Sequence, residues 1–323
     1  MFKKNLIRTL FFALAILLIG TFLDPYNQSQ LSVALIIFIA VLSITLLTGA
    51  SGQISLGQGA LMAVGGYASA LLILNVNLNL WLAIPLAVLV SAFAGLLLGV
   101  TAARLSGPYL AGTILVIALA IPSLANRFES VFAGEIGFSV DFGNPPHWLD
   151  NLIGEVGIEK WQLLVTIIFA TIALFFALNI LNTRTGRSWR ALRDHDIAAS
   201  LQGVNVGRSR IFIFMVTSAF AGMAGALYGL RGIVSPSVYA VSLSLSLLTA
   251  AILGGIRNIS GAMIGSVIIV FLPDWIGVVT SRLSVPTRIS DYLPALITGL
   301  LLVATVVLSP GGLSGSIHRK KHK

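Results

Sequence analysis

"TRTGRSWRALRDHDIAASLQGVNVGRSR" (residues 183–210) gathers six arginines and two aspartates in a chain that is only 10% charged. The sequence around it is apolar: the 323 residues are 57% hydrophobic, with a mean hydropathy of +0.97. A soluble domain carries about 25% charged residues. Charge this scarce and this localised marks an all-α integral membrane protein. The stretch is then the one large polar face on one side of the bilayer.

A helix crossing the hydrocarbon layer needs about 20 mostly apolar residues. Working outward from the basic stretch gives ten expected spans, at 6–23, 31–48, 54–74, 80–103, 109–126, 161–181, 211–234, 241–256, 261–280 and 293–309. Lysine and arginine collect on the cytosolic side. With the N-terminus inside, fifteen of the 20 basic residues fall there, including Lys3, Lys4, Arg8, Arg104, Arg257 and all six arginines of the stretch. Of the 11 acidic residues only Asp194 and Asp196 do. The net charge of +9 is therefore a topology signal, with both termini cytosolic. It is not a nucleic-acid footprint, which needs one contiguous basic surface. The basic N-terminus ahead of an apolar run has the outline of a signal peptide. "GTFLDPYNQ" (20–28) lacks a small-x-small cleavage site, so a retained first helix is expected.

The whole chain, 1–323, reads as one transmembrane domain with two sizeable loops. Residues 127–160 form an acidic and aromatic outer loop. In it "NPPHW" is a turn, and "WLDNLIGEV" is a candidate surface helix. Residues 182–210 form the cytosolic loop. Trp189 and Leu192, and then Ile197, Leu201 and Val204, recur at helical spacing. This predicts short helices over 187–193 and 196–202 with arginines outward. Asp194 or Asp196 lies at the start of the second helix, and Gly203 at its end. A plain solvated loop needs neither an apolar stripe nor "AASLQGV", whose small residues suit close packing into a groove.

"TGASGQISLGQGALMAVGGYASA" (48–70) is unusual for a lipid-facing span. In a continuous helix Thr48, Ser51, Ser55 and Gln58 share one face. Polar groups at membrane depth are tolerated where they line a cavity or find partners. The glycines at 49, 52, 57 and 59 also permit an unwound, re-entrant segment, provided protein covers it. A border of a translocation path and a tightly packed helix pair both fit these residues. "SAFAGMAGALYG" (218–229) reads as helix packing. Asp274 and Arg231 lie near span ends and either pair or reach the interface.

The chain has no cysteine, no metal-ligating histidine spacing and no GxxxxGK[ST] phosphate loop. No mid-span carboxylate or histidine suggests ion coupling. These features leave a transporter subunit without its own motor, or a stand-alone secondary transporter or facilitator. They give little support to an enzyme.

"GRSWRALRDHDIAASLQGVNV" (186–206) with "SAFAGMAGALYG", "LLTGASGQISLGQGALMAVGGYASALL" (46–72) and "RLSGPYLAGTILVIALA" (104–120) resembles the branched-chain amino acid ABC transporter permeases of the LivM type. The first of these is similar to the coupling loop of ABC-importer permeases. The likeness runs from about 42 to 310; the outer-loop "TGG" of that family is poorly matched by "FAGEIGF" (132–138). The resemblance implies a permease in a bacterial inner membrane for branched-chain or related amino acids. It implies a second permease subunit, two ABC ATPase subunits and a periplasmic or extracellular solute-binding protein as partners. It also implies no cofactor in this chain, with ATP used by the ATPases. Carried over by position, Arg190, Ala191, Arg193, Ala198, Ala199 and Gly203 are the ATPase-coupling residues.

Overall fold

The computed structural model describes residues 2–105, 108–146, 157–282 and 292–308. Helix α1 (Phe2–Thr21) is followed by α2 (Pro25–Ile44), which Pro25 opens in the first-turn position where its missing N–H costs nothing. The helix continues into a π-helical turn, Thr45–Ala50, so that the second span runs unbroken from Pro25 to Ala50, and from Leu31 onward nearly every residue is buried. It is the central post of the bundle. After an irregular segment come α3 (Gln58–Val76), α4 (Leu80–Arg104), α5 (Pro108–Arg127) and the single turn α6 (Glu129–Phe132). Then follow α7 (Ile158–Asn182), α8 (Arg184–Asp194), α9 (Asp196–Leu201), α10 (Val206–Gly229), α11 (Val241–Gly254), α12 (Ile259–Arg282) and α13 (Leu293–Leu308).

Among the described residues seven helices are long and apolar enough to cross a membrane, and two shorter apolar helices lie within α11 and α13. The chain is thus a multi-pass, all-α membrane protein. The first of the ten expected spans, 6–23, falls in α1, which is not among the seven. Three others need correction at their bounds or length. The span expected at 54–74 begins only at Gln58, because 52–57 is not helical. The one expected at 211–234 ends at Gly229. Beyond it, Ile233–Val234 forms an antiparallel pair with Phe138–Ser139, in the register Phe138↔Val234. That ladder ties the loop after α5 to the turn after α10, a long-range pairing that no local pattern announces. Finally, α11 has only 14 residues. The expected surface helix in "WLDNLIGEV" and part of the "NPPHW" turn lie outside the described residues.

Close helix approach comes from small residues, since lipid tails supply no hydrophobic drive for helices to associate. A Cβ on Gly65 of α3 would stand 2.1 Å from the Gly222 carbonyl oxygen of α10, and one on Gly225 would stand 1.9 Å from Met62 O. These backbones touch, as "SAFAGMAGALYG" leads one to expect. Asp274 and Arg231 do not pair. Arg231 donates to Ser29 O and Oγ, each at 2.7 Å, while Asp274 accepts from Tyr26 Oη and Gln30 Nε2. Both residues fasten the start of α2.

Candidate functional site

The basic loop folds into the two helices its periodicity predicts, with α8 starting three residues earlier than 187 and α9 ending at Leu201. The two helices have opposite roles. Trp189 is fully buried, in a small core with Leu47, Ala102, Leu110, Ile114, Ile213 and Phe214. The indole thus seats α8 in a core that the central post, α4, α5 and α10 share, against the ring of Phe212. The α9 side chains Ile197 and Leu201 are 77% and 84% exposed, Ala198 is exposed, and only Ala199 faces inward. Gly203 closes α9 at φ +83, a left-handed conformation cheap only for glycine, and the Val204 N–H reaches back to Ala199 O at 3.1 Å. His195 stands at the N-cap of α9 with Asp196 in its first turn; neither aspartate serves as the cap.

The arginines do not all point outward as the sequence pattern suggests. Three of them donate to carbonyls at the C-terminal ends of three different spans. Arg190 Nη2 reaches Leu181 O at 2.8 Å, Arg193 Nη1 reaches Gly49 O at 2.8 Å, and Arg210 Nη1 reaches Leu105 O at 3.2 Å. The last carbonyls of a helix have no partner within it, and the helix dipole places negative charge there. The spans ending at Ala50 and Asn182 have no basic residue in their own last turns, so the loop supplies the cation in trans. That lack shows which helix ends need a cation but not which arginine reaches them. Asp194 holds the Arg193 guanidinium at 3.0 Å, and Asp196 pairs with Arg210, which also draws the start of α9 onto the end of α4. Arg184, Arg187 and Arg208 remain exposed. Ala191 is half-buried.

Thr48, Ser51, Ser55 and Gln58 do not share a helical face, because the helix breaks between them. The unwound alternative is the one observed. Three of the four polar side chains serve the break itself: Thr48 Oγ1 donates to Gln53 O at 2.9 Å, Ser51 Oγ donates to Leu47 O at 2.6 Å, and Ser55 Oγ accepts from the Gly57 N–H. Gln58 is fully buried, with its side-chain amide 3.2 Å from Ser43 Oγ, whose proton goes to Ala40 O at 2.6 Å.

The two candidate sites, distant in sequence, adjoin in space. A cleft of about 720 Å³ is lined by Ser51–Ile54 of the break, Leu110 and Ala111 of α5, and Arg193–Ile197 of the α8–α9 corner. Gly52, at φ +75, lies so close that a Cβ there would stand 2.9 Å from Arg193 Cγ. On its other side the end of the central post is pressed against the turn after α11, where a Cβ on Gly49 would stand 1.9 Å from Ile256 O. The π turn is thus held between the basic loop and that turn.

The family described as branched-chain amino acid transport system permease component matches residues 28–306. The high-affinity branched-chain amino acid transport system permease protein LivM of Salmonella typhimurium is 31% identical over 271 residues, covering 76% of this chain and 64% of that protein. LivM of Escherichia coli is 29% identical over 259 residues, covering 74% and 61%. The probable branched-chain amino acid transport permease LivH of Methanocaldococcus jannaschii is 26% identical over 271 residues, covering 80% and 82%. The match thus spans under two thirds of the length of the two LivM proteins. No solved structure matches.

Proposed function

Because the chain belongs to the family of branched-chain amino acid transport permease components, we propose that it is the membrane-spanning subunit of an ABC importer for branched-chain or related amino acids. It sits in a bacterial inner membrane with the basic loop in the cytosol. Beside it stand a second permease subunit, two ABC ATPase subunits and a solute-binding protein on the opposite face. ATP is bound and hydrolysed by the ATPases, for this chain has no phosphate loop.

The observation that carries this reading is the division of labour within the loop. The exposed apolar side chains Ile197 and Leu201 project from α9, a knob suited to a groove. Behind them Trp189, Arg190, Arg193 and Arg210 fix the loop to the ends of three spans. Force applied to the knob therefore reaches the bundle, and Arg193 delivers it to the end of the interrupted span. Arg193 and the exposed Arg190 act as struts in this reading. Docking falls to Ile197, Ala198, Leu201 and the Gly203 turn.

An affinity pull-down of the tagged chain from its native membrane, read by mass spectrometry, tests the proposal. Two P-loop ATPases in the eluate, lost on Ile197→Asp, support it. Recovery of the chain alone, with amino-acid uptake by liposomes that contain nothing else, replaces it with a stand-alone transporter.

A further inference from the structure

A second cleft, of about 270 Å³, lies between the start of α8 and the start of α10. Arg184 and Thr185 line it from the first turn of α8, and Arg208 and Ser209 from the first turn of α10. Both arginines are exposed, and neither has an acidic or hydrogen-bonding side-chain partner among the described residues. The two aspartates of the loop are taken by Arg193 and Arg210. No carboxylate lines the cleft among the described residues.

The helix starts add to this positive character, because their first N–H groups have no carbonyl within the helix and the dipole is positive there. Thr183, the N-cap of α8, makes no side-chain bond to them. At α10 the cap is in place. Asn205 takes the Arg208 N–H through Oδ1 at 2.9 Å and the Ser209 N–H through its carbonyl at 3.0 Å, so that end contributes its side chains and its dipole. Ser188 lends no proton, since its own goes to Arg184 O at 3.1 Å. The inner wall is the fully buried Trp189, whose ring centroid lies 6.1 Å from that of Phe212. The Trp189 Nε1–H has no partner. A buried donor left unpaired is costly unless something outside the chain completes it.

The cleft has an apolar continuation. Phe212 lines it, is 42% exposed, and starts a stripe along α10. Met215, Val216, Ala219 and Met223 follow at helical spacing and, with Phe176 and Ile180 of α7, line a groove of about 250 Å³ walled by apolar side chains alone. From Phe212 to Met223 the helix rises about 16 Å, close to half of the ~30 Å hydrocarbon layer. Helices α7 and α10 are both long and apolar enough to cross a membrane, and the cleft lies where the first ends and the second begins. That is the level of the lipid headgroups.

We propose that cleft and groove together hold one anionic phospholipid. Its phosphate sits between Arg184 and Arg208 and accepts the Trp189 Nε1–H, and an acyl chain lies along the Phe212–Met223 stripe. Basic pockets between spans at the membrane surface suit such headgroups, and the chain's own aspartates do not compete for these arginines. A lipid so placed braces the end of α7 against the start of α10, the two roots of the basic loop. The inference does not depend on which solute is carried.

The test follows thermal unfolding of the full chain in an uncharged detergent with added phosphatidylglycerol, phosphatidylcholine or inorganic phosphate, while native mass spectrometry counts the lipid retained. The expected result is one phosphatidylglycerol per chain, a midpoint raised by a few degrees, and little effect of phosphatidylcholine. Arg184→Gln and Arg208→Gln each weaken retention about fivefold. Trp189→Phe, which keeps a ring and loses the N–H, also weakens it. Arg187→Gln removes the same charge one turn away from a residue that is exposed and does not line the cleft, and leaves retention unchanged. Ala219→Phe fills the groove and lowers retention with every charge in place. An equal loss in Arg187→Gln, or equal retention of phosphatidylcholine, overturns the site in favour of general surface charge or general lipid contact. Stabilisation by inorganic phosphate as great as by phosphatidylglycerol overturns the lipid as the source of the phosphate.

Discussion

Arg193 donates a 2.8 Å hydrogen bond to the carbonyl oxygen of Gly49, 144 residues away in sequence. This joins the basic loop to the last turn of the central post, next to the break that follows it. The bond does two things. It neutralises the negative end of a long buried helix, and it makes any displacement of the loop a displacement of the break.

Arg193→Gln is expected to uncouple the machine. Losing a charge-assisted bond to a backbone carbonyl removes about 1.5–3 kcal/mol of local tethering. Ile197 and Leu201 stay in place on α9, so ATPase subunits still co-purify and hydrolyse ATP. Uptake per ATP is expected to fall at least tenfold in proteoliposomes. A variant that keeps the wild-type ratio of solute to ATP removes Arg193 from the coupling route.

Ile197→Asp and Leu201→Asp separate docking from folding. At 77% and 84% exposure, these substitutions should change the unfolding free energy of the chain by only about 0.5 kcal/mol. A lost interface anchor is worth about 2 kcal/mol, roughly thirtyfold in ATPase affinity. Titration of the purified ATPase onto the immobilised permease reads the difference directly. Wild-type affinity in both variants points to a different docking surface.

Trp189→Ala reports on the anchor. Removing a fully buried indole from a core that four spans share costs about 3–5 kcal/mol. Local loosening of α8 is expected before global unfolding, seen as faster hydrogen exchange across Arg184–Leu201. Because the chain lacks cysteine, a single Ser188→Cys gives a second reading by thiol labelling. Unchanged exchange and labelling would mean that the arginine struts alone hold the loop.

Gly203→Ala tests the left-handed turn. A Cβ at φ +83 costs about 1–2 kcal/mol, although nothing lies within 4 Å of it. Gly203→Asn, which tolerates that conformation, should recover most of the loss. Gly203→Trp adds bulk in open space, so it should insert normally and lose ATPase co-purification. Retained co-purification places the ATPase away from this turn.

Much of the basic loop is legible locally. Trp189 and Leu192 at helical spacing, Ile197 and Leu201 likewise, and a glycine after the second run predict two helices and a stop, and the structure has them. Which stripe faces in is not legible, because both are apolar and short. Tertiary contact decides it: Trp189 packs on Phe212 of α10 in a core with Ile213 and Phe214, while Leu201 stays 84% exposed. The direction of the arginines is equally hidden, since a helix C-terminus needing a cation and a cation able to reach it are separated by up to 144 residues.

By itself the sequence determined the class and the sites of most spans. Apolar run length and charge placement are properties of local stretches, and the bilayer acts on each stretch separately. It also offered the choice between a continuous polar face and an unwound segment at 48–58. Only the tertiary structure made that choice. Unwinding exposes backbone groups that lipid cannot satisfy, so it survives only where other parts of the chain cover it. Arg193, Ile114 and Ser244 do so here, and they reach the break from three distant segments.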